Sequence, residues 1–222
     1  IPYFYRTSRF NDFFNTHTDI YELGLQVFND SVMAHFDQEW YTRFYGTPPA
    51  EQFRIIIGFT NGPCNYGPSR KLTGQPKEVF AIMNYAVDDN ERPIFYKKVV
   101  ETVVHEFCHS FTKIKGDTEK ALEKSGKALQ EYTYFSMRRQ AYSTWRNILE
   151  ESLVRAATIC YLIDHDYDEK DIRNAIIEQV DRNFFWMPEL VQTLRYYESH
   201  RKKYPTFTSF YPEIIRFFDR YV

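Results

Sequence analysis

Cysteine is scarce in this chain: Cys64, Cys108 and Cys160 are the only three among 222 residues. An odd set, with two members inside apolar helical runs, argues against a disulfide framework and leaves those two as small hydrophobes. No apolar run is long enough to span a bilayer. No signal peptide opens the chain, and neither repeats nor low-complexity segments occur. An excess of one charge is missing as well. The formal net charge is -2, with acids and bases interspersed. Such a balance points to no nucleic-acid partner and no anionic-membrane partner.

What is present suits one compact domain, 1–222, with core enough to fold alone. The opening "IPYFYRTSRF" has no methionine. It reads as the trimmed start of the C-terminal part of a longer precursor. Aromatic residues make up 18% of the chain and are expected mostly in the core.

Periodicity and breakers give the organisation. A helix is predicted over about 19–34, a turn at 46–49, and a buried strand, "FRIIIGF", at 53–59. "TNGPCNYGPSR" is a loop punctuated by glycine and proline. "EVFAIMNYAV" (78–87) is a second strand, ended by the turn "DDNERP". Everything after Pro93 reads as helix: one from Pro93 to a stop at Gly116, an inserted amphipathic helix or helical pair, one over about 137–163, then 168–182, 187–200 and 210–220. A small sheet beside many helices is an α+β pattern.

The stretch "VVHEFCHSF" (103–111) carries the chemistry. Phe95, Val99, Val100, Val103, Val104, Phe107, Cys108 and Phe111 recur at helical spacing, and His105 and His109 fall outside that apolar arc. Residues four apart lie one above the other on a helix, so both imidazoles can bind one ion. Zinc is the usual choice for a His/His/carboxylate set. Glu106, next to the first histidine, can take a proton from a metal-bound water. This is H-E-x-x-H, the zinc-peptidase helix. The bland alternative is a solvated helical face.

Catalytic zinc wants a third protein ligand. In the 137–163 helix, Trp145, Ile148, Leu149, Leu153, Ala156, Ile159, Cys160 and Ile163 form the buried stripe, while Glu151 and Arg155 share another face. Glu151 is the better ligand candidate and Glu150 the reserve. On wheel geometry alone a plain i,i+4 ion pair between Glu151 and Arg155 would suffice. The upstream motif, which needs a downstream ligand, changes that balance.

With a glutamate-bearing helix downstream, the H-E-x-x-H pattern resembles the gluzincins, the thermolysin-like zinc peptidases. "NGPCNYG" (61–67), "VVHEFCHSF", "RQAYSTWRNILEESLVRA" (139–156) and "YESHRKKYPTFTSFYPEII" (197–215) are more closely similar to an uncharacterised family of bacterial proteins, typical of Bacteroidetes. That family is predicted to be secreted metallopeptidases. The resemblance runs from about Phe10 onward. It implies a zincin-like fold, mostly helical with a small sheet beside the metal helix. It further implies one zinc on His105, His109 and Glu151, Glu106 as base, and a peptide or protein substrate. A secreted, periplasmic or cell-surface location is implied by the resemblance alone. Thermolysin-like enzymes place an aspartate four residues after the ligand glutamate, where this chain has Arg155. An arginine cannot accept a proton from imidazole. Arg155 is therefore expected either to brace Glu151 or to meet substrate.

Zincins bind an extended substrate on a sheet edge above the metal. Either predicted strand could serve, and "EVFAIMNYAV" is the preferred edge because it directly precedes the metal helix. Tyr142 and Arg155 are candidate oxyanion donors, with a structural role equally open for Tyr142 on the buried side of its predicted helix; Asn65 and Tyr66 are candidate substrate contacts, with a turn-forming role open for Asn65. Two alternatives to a peptidase stand beside this reading. One is an inactive zincin acting as a protein- or glycan-binding module. The other is a zinc hydrolase of a different amide or ester.

Overall fold

The structure, a computed structural model, describes residues 2–60, 62 and 65–222. Asn61, Pro63 and Cys64 of the "NGPCNYG" segment therefore lie outside the described residues. The chain begins with α1 (Pro2–Thr7), α2 (Phe10–Thr16), α3 (Thr18–Ser31) and α4 (Trp40–Tyr45). Strands β1 (Gln52–Ile57), β2 (Ser69–Arg70), β3 (Glu78–Met83), β4 (Ala86–Val87) and β5 (Pro93–Ile94) follow. The remainder is helical: α5 (Val99–Cys108), α6 (Asp117–Tyr132), α7 (Tyr134–Arg139), α8 (Trp145–Asp164), α9 (Glu169–Asp181), α10 (Met187–Ser199) and α11 (Phe207–Asp219). The class is α+β, mainly helical with a small sheet.

β3 lies in the middle of a three-stranded sheet, parallel to β1 and antiparallel to β2. Its central place explains its burial, with Val79, Ala81 and Met83 all inside. The expectation of a buried strand at 53–59 is corrected. β1 is an edge strand whose residues alternate between half-buried and exposed, and Ile56 is 43% exposed. Three successive isoleucines after Arg54 do not by themselves distinguish a two-faced from a one-faced strand. The predicted second strand also splits, because residues 86–87 leave β3 and pair with β5.

The metal helix is shorter than its periodicity suggests. Pro93 sits in β5, opposite Val87, and the helix starts only at Val99. A proline suits an outer strand as well as a first helical turn, so its presence did not discriminate. At the far end, three-residue turns close the helix: Ser110 N–H donates to Phe107 O at 3.1 Å and Phe111 N–H to Cys108 O at 3.0 Å. His109 thus stands at the C-cap. Gly116, with φ 65°, precedes α6 instead of ending α5. The helix predicted over 137–163 is likewise two helices, the expected insert being α6 and the start of α7. The break contains Ala141 at φ 66° and Thr144, whose hydroxyl caps α8 by accepting from Asn147 N–H at 3.2 Å. Tyr142 lies in that break and not on the helix.

α8 is the axis of the core. Every residue from Ile148 to Leu162 except Arg155 is buried. A helix enclosed on all sides needs partners on all sides, and α5, α6, α9 and α10 pack around it. α6 comes close enough that a Cβ on Gly126 would lie 2.4 Å from the Trp145 ring. The apolar side of α5 is fixed by aromatic contacts. Phe107 stacks on Phe53 of β1 at 4.1 Å and 4°, and Phe111 stacks on Tyr45 at 4.2 Å and 5°. With Val100, Val103, Val104, Phe107 and Cys108 buried, the opposite side of α5 is left to His105, Glu106 and His109. Cys108 and Cys160 are free and buried.

Candidate metal centre

His105 and His109, stacked along α5, face Glu151 of the neighbouring α8. His105 Nε2 lies 3.3 Å from Glu151 Oε1, and His109 Nε2 lies 3.6 Å from Oε2. The imidazoles are 5.0 Å apart and nearly perpendicular, at 84°. One donor atom from each of the three residues falls within 4.8 Å of the others. Tetrahedral zinc with ligand bonds of about 2.0–2.2 Å requires donors separated by about 3.3–3.6 Å. Each histidine lies at such a distance from one oxygen of Glu151, His105 from Oε1 and His109 from Oε2. The donor set, two imidazoles and a carboxylate, also fits the ion chemically. Burial depresses both imidazoles, His105 to about 4, and so outweighs the attraction of Glu151. They are neutral near pH 7, the state that coordinates a metal.

Glu151 and Glu150 diverge. Glu150 turns toward the segment after α5, where Oε1 accepts from Ile114 N–H at 2.8 Å and Oε2 meets Lys113 Nζ at 3.1 Å. It satisfies backbone beyond the metal helix, while Glu151 faces the histidines.

Arg155 lies against Glu151. Its Nη2 is 2.8 Å from Glu151 Oε1 and donates to Tyr142 Oη at 2.9 Å; Nη1 donates to Gln179 Oε1 at 2.5 Å. The guanidinium also sits 5.2 Å over the Phe184 ring. Its Nε is buried without a hydrogen-bond partner among the described residues. Both forks of the guanidinium are thereby occupied within the protein. The Tyr142 hydroxyl in turn donates to Glu151. Desolvation works against the Glu151 carboxylate, yet His105, Arg155, His109 and the Tyr142 hydrogen bond together hold its pKa below the ordinary value. Gln179, buried on α9, is a supporting residue without any sign in the sequence.

Glu106 projects beside this group onto the wall of a cavity of about 920 Å³ that Asn65, Tyr66, His105 and Arg155 also line. Burial, reinforced by the Glu151 carboxylate and opposed by Arg155, lifts Glu106 to about 7. Its carboxylate lies against Gly67: a Cβ built there would be 2.0 Å from Glu106 Oε2. Gly67 closes the "NGPCNYG" loop, and nothing in that local pattern signals its contact with Glu106.

The substrate-edge expectation is corrected. Both edges of β3 are taken, by β1 and by the 66–70 segment. Tyr66 exchanges two hydrogen bonds with Ile82, at 3.0 and 2.8 Å, and Phe80 N–H donates to Pro68 O at 2.9 Å. Alternation turns the peptide groups of Gly67 and Ser69 outward. The outer edge that passes Glu106 is therefore the 66–70 segment. Asn65 accepts from Asn84 N–H at 2.9 Å, which ties the loop to the end of β3, while Tyr66 is 48% exposed at the cavity.

Fold and site together define a mainly helical α+β protein with a His-His-Glu group between two core helices. The family model described as Domain of unknown function (DUF4932) matches residues 1–217, and the chain belongs to that family. No curated protein and no solved structure matches it.

Proposed function

We propose that this chain is a zinc-dependent peptidase of gluzincin type, with His105, His109 and Glu151 holding the ion and Glu106 acting as general base. The observation that carries the reading is the convergence of three ligand atoms within 4.8 Å, beside a carboxylate that is not one of them. Zinc bound there would bring the pKa of a water to about 7 and polarise the scissile carbonyl. Glu106, held at the cavity wall, takes the proton of the attacking water and passes it to the leaving amine. Tyr142 and Arg155 act through Glu151, fixing its carboxylate against both imidazoles. The outward edge at 66–70 offers backbone groups for pairing with an extended peptide beside Glu106.

The test combines metal analysis with turnover on a broad peptide library. Wild type is expected to carry stoichiometric zinc and to lose activity with a chelator. Glu106→Gln should keep its zinc and lose turnover by at least ~100-fold. His109→Ala should lose the metal. Zinc retained by His109→Ala, or full activity in Glu106→Gln, would overturn the assignment.

A further inference from the structure

The short helix α7 carries a surface that the proposed chemistry does not use. Phe135 is 81% exposed on it, and Tyr132, just before it, is 77% exposed. Arg138 and Arg139 stand exposed beside them. Neither arginine has a carboxylate partner among the described residues; Arg138 instead donates to Tyr134 Oη at 2.5 Å and lies 5.7 Å over that ring. Most other arginines near the cavity are neutralised: Arg155 by Glu151, and Arg182 by Glu178 at 2.9 Å. Two guanidinium groups without an ion-pair partner thus stand side by side on a chain of net charge -2.

This surface is held in place and joins the cavity. Met137 is buried beneath it. Asn183 donates to Ser136 Oγ at 2.6 Å, and Gln140 donates to Arg182 O at 2.8 Å, pinning α7 to the end of α9. Gln140 and Ala141, immediately after α7, form part of the cavity wall. Tyr134, Met137, Arg138 and Tyr142 also line a hollow of about 260 Å³ on the α7 side. A peptide lying in the cavity and running past Ala141 meets the arginines within a few residues, since an extended chain covers about 3.3 Å per residue.

We propose that α7 is a docking site for an acidic segment of the polypeptide substrate, one that carries an apolar or aromatic side chain among its carboxylates. This rests on the peptidase reading. Arg138 and Arg139 supply paired donors for carboxylates. Tyr132, Tyr134 and Phe135 supply exposed rings for the apolar side chain. Two guanidinium groups are too few for a nucleic-acid footprint, which draws on many phosphate contacts. Charge complementarity and continuity with the cavity therefore both favour an acidic peptide.

The experiment measures fluorescence anisotropy of a fluorescein-labelled peptide with a glutamate run and a phenylalanine. The control peptide has glutamine at each glutamate. Both are bound to the zinc-loaded Glu106→Gln chain, with and without Arg138→Glu and Arg139→Glu. The acidic peptide should bind about tenfold more tightly at low salt, and the preference should shrink as salt is added. The double charge reversal should abolish it while zinc content and melting temperature stay the same. In the active chain the same reversal should raise KM for the acidic peptide and leave a short neutral peptide unaffected. Equal binding of the two peptides, or a preference that survives the reversal, would overturn the proposal. So would binding of anionic vesicles or an oligonucleotide in place of the acidic peptide. Arginine-dependent binding of a peptide that is never cleaved would support the docking surface and sink the peptidase reading, so the two can fail separately.

Discussion

Glycine at position 67 is the residue whose role depends most on a contact that the sequence cannot display. The side chain it faces, Glu106, is far away in the chain but touches its Cα in space. The backbone at Gly67 does not require a positive φ, so alanine is conformationally acceptable there. The obstacle is the 2.0 Å approach of a new Cβ to Glu106 Oε2. A carboxylate at the end of a flexible side chain can swing away, so the fold should tolerate Gly67→Ala. The base, however, is moved. Displacing a reacting group by about 1 Å costs about 100-fold in rate. Gly67→Ala is therefore expected to keep its zinc and its melting temperature and to lose about 100-fold in kcat. Steady-state kinetics beside metal analysis would decide the matter, and an unchanged kcat would remove Gly67 from the site. The histidine pair, by contrast, was legible because i,i+4 spacing is local. Glu151 could be preferred over Glu150 for the same reason, since helical phase separates adjacent residues by about 100°.

Elements were legible where periodicity was strong and their ends were not. The helices predicted over 168–182 and 187–200 match α9 and α10 within a residue or so. The break between α7 and α8 was missed because it depends on Ala141 in a left-handed conformation, which alanine does not advertise. Sheet order was missed because β3 acquires its central place through β2, a strand of only two residues. One side chain bridges all three strands of this sheet. Glu78 of β3 accepts from Arg54 of β1 at 2.5 Å and from Arg70 of β2 at 2.8 Å. Hydrogen bonds from Arg70 and Arg54 hold its pKa below the ordinary carboxylate value. A carboxyl group lowered in the folded state stabilises at pH above its unfolded value of 4.5, and that contribution is lost as pH falls through the folded value. Glu78→Gln should accordingly melt below wild type at pH 7, and the gap should close as the pH drops beneath 4.5. Thermal melts of both proteins across that range are the measurement. A gap independent of pH would mean that Glu78 acts by packing and not by charge. Because Arg70 lies on the segment that passes Glu106, the variant should also raise KM for extended peptides.

At the scale of the whole molecule, the site sits where the fold is most constrained. α8 is enclosed by helices on all sides, and α5 is clamped between α8 and the sheet. Local pattern revealed the helices but not this enclosure, which arises only when α6, α9 and α10 assemble around α8. An ion held by His105 and His109 on one helix and Glu151 on the other would crosslink two central elements. Its binding free energy then adds to the stability of the whole chain and not of one loop, because the unfolded chain does not keep the three ligands together. With free zinc at about 1,000 times its Kd, linkage contributes about 4 kcal/mol. A chain of this size shifts its Tm by about 2–4 °C per kcal/mol, so chelation should lower the Tm by roughly 8–16 °C. Glu106→Gln, which keeps all three ligands, should show the same drop. His109→Ala should start low and barely respond to chelator. Calorimetry of the three proteins with and without chelator distinguishes this from an ion held equally by the folded and unfolded chain or bound elsewhere: the wild-type Tm would then stay constant, or His109→Ala would respond to chelator like wild type.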